Sequence, residues 1–507
     1  MLFIYPPVTR PCEPPAGIAC LLAACKSAGI EPAVHDANLE GLLYVLQAPA
    51  WADDTWTRRA AGAAGRHLDG IRSGLVFKNT AAYNRAVRDL NRLLEVHGAA
   101  FDTRISLGDY SSHVLQPVRS ADLLQAARHP EANLFYGYFC ARLPGLIEEH
   151  APDRIGISIN YLSQALCAFA LIGFLKRIAP GVHIVLGGGL ITSWLRRPGV
   201  RLEFDGLVDA VVEGPGEDYV CSLTGGGTGC RSGDLIPEYE TGCRDSYLSP
   251  GRIIPYSASR GCYWRRCAFC PEQAEDNAYE PLPSALAVGQ MQQLCSTYSP
   301  ALLHLLDNAI SPALLAQLTR TPPGAPWYGF VRVTRELQDQ DFCRALRASG
   351  CAMLQLGLES GSDRVLEQMG KGITVQDSAR VLRSLNAAGI ATYVYLLFGT
   401  PWETQREAQM TLDFIAAHAH LIDFLNVAVF NMPVGSQQAA GYAVRSFSDA
   451  DLSLYTDFVH PAGWDRKSVR RFLDQGFRRH LAIAAVIRNK PPLFGSNHAP
   501  FFVLKKE

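Results

Sequence analysis

Charge of one sign is what this chain most lacks. Its 47 basic residues nearly cancel its 48 acidic ones, leaving a net charge of −1. No general field therefore draws it to nucleic acid, although a local basic patch is compatible with that balance. Long apolar runs are also missing. The longest, "ALCAFALIGFL" at 165–175, is far short of a membrane span and stops at Lys176 and Arg177. The start, "MLFIYPPVTRPCEPP", has neither the basic opening nor the continuous apolar stretch of a signal peptide. Internal repeats with periods of about 20–50 residues are absent too. A cytoplasmic protein with reduced thiols is expected, without disulfides and without a membrane span. What is present, 48% apolar and 19% charged residues, describes a folded chain. At 507 residues it exceeds one core, so two or three domains are expected.

The first third alternates strand-like and helical runs. "LFIYPP" (2–7), "EPAVHD" (31–36), "RIGISIN" (154–160), "HIVLGGG" (183–189) and "LVDAVVEG" (207–214) read as short apolar strands, with helical patterns after the first and third. That alternation predicts a parallel sheet covered on both faces, a doubly wound α/β domain over 1–225. Between the second and third strands, about 50–150, "TAAYNRAVRDLNRLLEVHG" has helical spacing, so a mostly helical insertion is expected. Its Trp51 and Trp56 are candidates for a substrate pocket, but tryptophans in helical inserts usually pack in a core.

Residues 226–250 are rich in Gly, Ser and Thr, as in "SLTGGGTGCRSGD" (222–234), and suit a linker. A second series follows over 251–435. "RIIPYSA", "ALLHLLDN", "WYGFVRVT", "MLQLGLES", "TYVYLLFG" and "FLNVAVFN" are its strands, separated by helical stretches. Six such units predict a (β/α)6 partial barrel with its site at the C-terminal ends of the strands. The remainder, 436–507, reads as a small, mainly helical region; its "GSNHAPFF" segment, with Asn497 and His498, could close over the barrel mouth.

Chemistry concentrates in "ASRGCYWRRCAFCPE" (258–272), where Cys262, Cys267 and Cys270 are separated by four residues and then two. A structural zinc site takes four protein ligands, usually as two pairs. Here one compact triplet has no nearby second pair, although a distant ligand could complete it. An iron–sulfur cluster accommodates the spacing better, because closely spaced thiolates can wrap one cubane. Three thiolates on four irons leave one iron open to a substrate or cofactor. Phe269 gives the loop an apolar face. The other eleven cysteines read as small buried apolar residues.

Placed after the first strand of a β/α series, this motif resembles the radical S-adenosylmethionine enzymes. The usual spacing in that family is three residues and then two; this chain has one more in the first gap. "LLDNAISP", "LQLGLESGSDRVLEQMGKG" and "YLLFGTPWET" are similar to further segments of the family. The resemblance implies a 4Fe–4S cluster on Cys262, Cys267 and Cys270. It also implies S-adenosylmethionine held by Phe269, Asp307, Asn308, Arg332, Glu359, Ser360, Leu397 and Gly399. Glu403 is expected to begin the next helix and favour its dipole.

The first domain resembles the cobalamin-binding domain, of Rossmann-like fold, that precedes this barrel in one large subgroup. The resemblance rests on "PPVTRPCEPPAGIA", "GISINYLSQ", "LGGGLITS" and "VVEGPGEDY", all at C-terminal strand ends. It implies cobalamin near Thr9, Asn38, Ser158, Asn160, Gln164, Gly187, Gly188, Gly189, Glu213 and Gly214. One departure matters. "DANLEG" (36–41) puts Asn38 where related proteins carry the histidine that ligates cobalt from below. Cobalamin without a protein histidine on its lower face is therefore expected, and His35 should point to the other face of its strand.

These resemblances imply a cobalamin-dependent radical S-adenosylmethionine enzyme, of the class B methyltransferase type, that methylates an unactivated carbon. An external electron donor of flavodoxin or ferredoxin type would serve it, and its substrate would be a small molecule or peptide. Catalytic residues acting on the substrate are not identified by sequence. An enzyme of the same architecture that cyclises, rearranges or oxidises without methyl transfer, and a non-catalytic cobalamin or iron–sulfur sensor, stay open as alternatives.

Overall fold

The computed structural model describes residues 1–49, 54–204, 206–224, 235–239, 246–445 and 450–504. Trp51 and most of the expected linker lie outside the described residues. The chain divides into two units, Met1–Arg252 with Ser448–Leu454, and Ile253–Phe447 with Tyr455–Glu507.

In the first unit, β1 (Leu2–Ile4), β2 (Ala33–His35), β3 (Arg154–Ser158), β4 (His183–Gly187) and β5 (Ala210–Val211) form one sheet in the order β2-β1-β3-β4-β5. Every pairing is parallel, as nearly continuous apolar strands require. The order reverses between β1 and β3, where a doubly wound sheet opens a crevice at its strand ends. The insertion contributes helices Thr55–Arg72, Thr80–Ala99, Ser120–Arg128 and Tyr136–His150. It also contains an antiparallel hairpin, Thr103–Ser106 with Asp109–Ser112, which the helical spacing did not foretell. Trp56 donates its indole N–H to the buried Asp89 at 2.8 Å, pinning the first two insertion helices together.

The apolar run seen in sequence forms the helix Leu162–Ile178, and every residue from Gln164 to Leu175 is buried. A helix apolar on all sides needs cover on all sides. The insertion supplies part of it. At Gly173 an added Cβ would stand 1.8 Å from the Ala127 carbonyl oxygen, so glycine alone lets the helix Ser120–Arg128 approach this closely. The described ends of the expected linker are packed rather than free: Glu238 N–H donates to the Ala19 carbonyl and Leu248 N–H to that of Pro11.

In the second unit, β6 (Ile253–Tyr256), β7 (Leu302–Leu305), β8 (Trp327–Val331), β9 (Cys351–Glu359), β10 (Ala391–Phe398) and β11 (Phe424–Val429) pair in sequence order, all parallel. Each neighbour follows through a helical connection, giving the open six-stranded barrel that the alternation predicts. Beyond it come three short antiparallel strands, Met432–Pro433, Val444–Arg445 and Tyr455–Phe458, and three helices, Arg466–Gln475, Leu481–Asn489 and Gly495–Val503.

The last helix is not at the barrel mouth. Asn497 Nδ2 donates to Tyr328 Oη at 3.4 Å, near the start of β8, and Gly495 packs against the Tyr393 hydroxyl near the start of β10. The segment thus seats at the N-terminal ends of the strands, because its buried Phe494, Ala499 and Phe501 need an apolar surface. His498 is fully buried and stacks on Phe494 with ring centroids 4.3 Å apart. No helix of the described residues is long and apolar enough to cross a membrane.

Candidate cofactor sites

The three-cysteine loop leaves the end of β6 under firm local control. Ala258 N–H and Ser259 Oγ donate to the buried carboxylate of Asp307, which follows β7. Gly261 has φ +66°, and a Cβ there would lie 2.2 Å from the Ala278 carbonyl oxygen. Within the first gap Arg265 takes a left-handed conformation, φ +47°. Within the loop Cys270 N–H donates to the Cys267 carbonyl at 3.0 Å, and Ala268 N–H to that of Met369 at 2.9 Å. Trp264 then docks on the segment after β9. Its Nε1 donates to the Gly370 carbonyl at 2.8 Å, and a Cβ on Gly372, φ +66°, would come within 2.3 Å of the indole.

All three thiols are free and half-buried. Burial pushes the Cys267 thiol up, opposed by the Lys371 and Arg332 cations, and burial pushes that of Cys270 up to about 11. Among the described residues no three His, Cys, Asp or Glu side chains converge closely enough to hold a single metal ion. A closed zinc site needs that convergence. A cubane does not, because each thiolate takes a different iron. Three cysteines on one loop, with a guanidinium against one sulfur, are a donor set that fits such a cluster.

Other strand ends gather around this loop. Arg332, just past β8, is buried; its Nη1 lies 3.5 Å from Cys267 Sγ, and its Nη2 donates to the Lys371 carbonyl. Glu359 ends β9 with φ +66° and pairs with Lys371 Nζ at 2.9 Å. Lys371 also lies 5.5 Å from the Phe269 ring centroid. Cys267, Phe269, Arg332 and Glu359 are thus brought together. Asn308 is exposed and Leu397 half-buried on β10. Ser360 is fully buried and faces away toward Thr411, 3.4 Å between hydroxyl oxygens.

Gly399 has φ +79° and donates its N–H to Glu403 Oε2 at 2.5 Å. Glu403 does not serve the next helix, as sequence suggested. That helix, Gln405–His418, starts at a Thr404 cap, and Glu407 supplies its first-turn carboxylate. Glu403 is instead fully buried, accepts from Trp464 Nε1 at 3.0 Å, and is pushed up to about 7 by burial.

In the first unit the strand ends form a hydrogen-bonded rim. Gln164 donates to the Pro6 carbonyl at 2.8 Å and accepts from Asn160 N at 2.8 Å. Asn160 in turn donates to Ser158 Oγ at 3.1 Å and accepts from Gly189 N at 2.9 Å. Thr9 and Asn38 bond to each other. Gly214 donates to Thr192 Oγ1 at 3.0 Å, whereas Glu213 is turned aside to Arg196. An added Cβ at Gly214 would meet nothing within 4 Å, so the backbone there faces open space, whereas at Gly187 and Gly189 it would make ordinary contact with Val212 at 3.8 Å and Asn160 at 3.6 Å. Gly188 differs: φ is +106° and a Cβ would lie 2.4 Å from the Ile159 carbonyl oxygen. His35 is buried beneath, its Nε2 2.7 Å from Tyr138 Oη, and burial lowers it to about 4. A ligand could approach the open backbone at Gly214, and neither Asn38 nor His35 is presented to it.

Residues 311–415 match the family model of the radical SAM superfamily. This chain carries a radical SAM domain. Among curated proteins, it is 24% identical over 307 residues to an uncharacterized methyltransferase of Pyrococcus horikoshii, an alignment covering 53% of this chain and 65% of that one. It is 21% identical over 360 residues to the anaerobic magnesium-protoporphyrin IX monomethyl ester cyclase of Rubrivivax gelatinosus, covering 62% and 63% of the two chains. The alignments therefore span just under two thirds of either relative. Among solved structures, the radical S-adenosylmethionine methyltransferase TsrM of Kitasatospora setae, with tryptophan substrate and a SAM analogue bound, superposes with TM-score 0.55. That match has 15% identity and covers 96% of this chain and 88% of TsrM. A second TsrM structure holds cobalamin and a 4Fe–4S cluster, with TM-score 0.52, 17% identity and coverage of 88% and 80%. The likeness establishes a shared fold.

Three residues that pack around these candidate positions went unnoticed in the sequence: Trp264, Lys371 and Trp464. Trp264 sits inside the cysteine motif and Lys371 between two glycines, "GKG", so both carried a local signal. Trp464 carried none, being 61 residues from its partner Glu403.

Proposed function

We propose that this protein is a cobalamin-dependent radical SAM methyltransferase acting on an unactivated carbon. The observation that carries the reading is the Cys262–Cys270 loop, three half-buried thiols with Arg332 against one sulfur at the C-terminal ends of a partial barrel. When bound, the cluster and S-adenosylmethionine supply a 5′-deoxyadenosyl radical, and cobalamin carries the methyl group. The chain's own residues position and shield. Asp307 ties the cysteine loop to β7, Trp264 ties it to the turn after β9, and the Glu403–Gly399 contact fixes the end of β10. The open backbone at Gly214 supports cobalamin at the first unit's rim, and the engaged Asn38 and His35 support binding without a histidine below cobalt.

The similarity to a cyclase favours one alternative, the same radical chemistry without methyl transfer. Anaerobic turnover with a strong reductant and methyl-labelled S-adenosylmethionine separates the two. Methyl transfer puts label in the product; its absence beside 5′-deoxyadenosine supports the alternative. If no 5′-deoxyadenosine forms at all, both readings are lost.

A further inference from the structure

Arg332 is 6% exposed, and no carboxylate lies within ion-pair distance of it among the described residues. A buried cation is costly unless an anion answers it. Its environment is otherwise well defined. Nη2 is spent on the Lys371 carbonyl, the guanidinium carbon lies 4.1 Å from the Trp264 ring centroid, and Nη1 reaches Cys267 Sγ at 3.5 Å. A second cation, Lys371, stands on the same side, but Glu359 at 2.9 Å offsets its charge. The uncompensated charge therefore belongs to Arg332, and the group facing it is Cys267 Sγ, which would be anionic as a cluster ligand.

We propose that Arg332 is the electrostatic partner of the cluster, raising its reduction potential by holding a fixed positive charge and a hydrogen bond at Cys267, and that Trp264 is the positioning residue that keeps it there. The inference deepens the proposed function and rests on its assignment of a 4Fe–4S cluster to this loop. In the step concerned the oxidised cluster accepts one electron from an external low-potential donor of flavodoxin or ferredoxin type, and no bond is made or broken. Reduction adds negative charge, which a nearby fixed cation and a donor to the sulfur both stabilise. Trp264 contributes by stacking on the guanidinium while its own N–H is anchored at Gly370.

The test is an EPR-monitored redox titration of the anaerobic holoenzyme without S-adenosylmethionine, with iron and sulfide measured on the same samples. Arg332→Gln is expected to keep its iron but become harder to reduce by about tenfold, a shift of 59 mV for a one-electron couple. Arg332→Lys should shift less, since it keeps the charge and loses the fork. Trp264→Leu should shift the potential in the same direction as Arg332→Gln. An unchanged potential in Arg332→Gln, with weaker S-adenosylmethionine binding, would assign the guanidinium to that molecule's carboxylate and overturn the proposal. Equal loss of iron from Arg332→Gln and Arg332→Lys would reduce it to a scaffold role. Should Arg332→Gln fail to hold a cluster, Trp264→Leu, which keeps the guanidinium but removes its stacking partner, must still move the potential downward, and no movement sinks the idea. Wild-type protein without a 4Fe–4S signal would instead sink the proposed function.

Discussion

Asn38 and Thr9 hold each other by two hydrogen bonds: Thr9 N–H donates to Asn38 Oδ1 at 2.7 Å, and Asn38 Nδ2 donates to Thr9 Oγ1 at 3.1 Å. Both residues are buried, so water cannot replace either bond. Asn38→Ala strands the Thr9 N–H and is expected to cost about 1–3 kcal/mol of stability. Urea denaturation of the cofactor-free protein reads this directly. Wild-type stability in the variant would mean that the pair does not hold the β1 loop.

Two glycines on the same rim should respond differently to alanine. At Gly188 the new Cβ meets the Ile159 backbone as well as a forbidden φ, so Gly188→Ala should lose more than about 3 kcal/mol. At Gly214 only the positive φ is at stake, for about 1–2 kcal/mol. Thermal unfolding of both variants ranks them, and equal losses would contradict the close approach at Ile159.

The buried Glu403 predicts a slope of stability with pH. Burial holds its carboxyl at about 7, above the ordinary 4.5, so the folded protein binds that proton more tightly than the unfolded chain does. Its contribution is fully present below the unfolded value and is lost as pH rises through the folded one. Glu403→Gln removes the dependence and should gain on the wild type by up to about 3 kcal/mol between acid and neutral pH. Parallel thermal melts across that window check it; a constant difference would mean that Glu403 stays ionised.

The turn beneath the cysteine loop has no room for a side chain. Gly372→Ala would drive a methyl group into Trp264, and the variant is expected to lose most of its iron after anaerobic reconstitution. Gly389→Ala is the control: its φ of +72° carries similar strain of about 1–2 kcal/mol, but an added Cβ would meet only Arg347 Nε, at an unstrained 3.9 Å. Similar iron loss in both would assign the effect to backbone strain alone.

Much of this was legible in the amino-acid order because it is local. Strand and helix periods name all eleven strands of the two parallel sheets, and the spacing of Cys262, Cys267 and Cys270 marks the loop proposed to hold the cluster. Each depends on neighbours a few residues apart. What the sequence alone left undecided was pairing at a distance: Arg332 with Cys267, Trp464 with Glu403, Asn497 with Tyr328, and Gly173 with Ala127. A buried charge or amide takes whichever partner the fold brings within reach, and a helix apolar on every side gives no sign of what will cover it. Composition and periodicity therefore specified the elements. Only the packed chain decided that Glu403 serves Gly399 rather than a helix end, that the C-terminal helix seats at the starts of the barrel strands, and that a lone guanidinium faces Cys267.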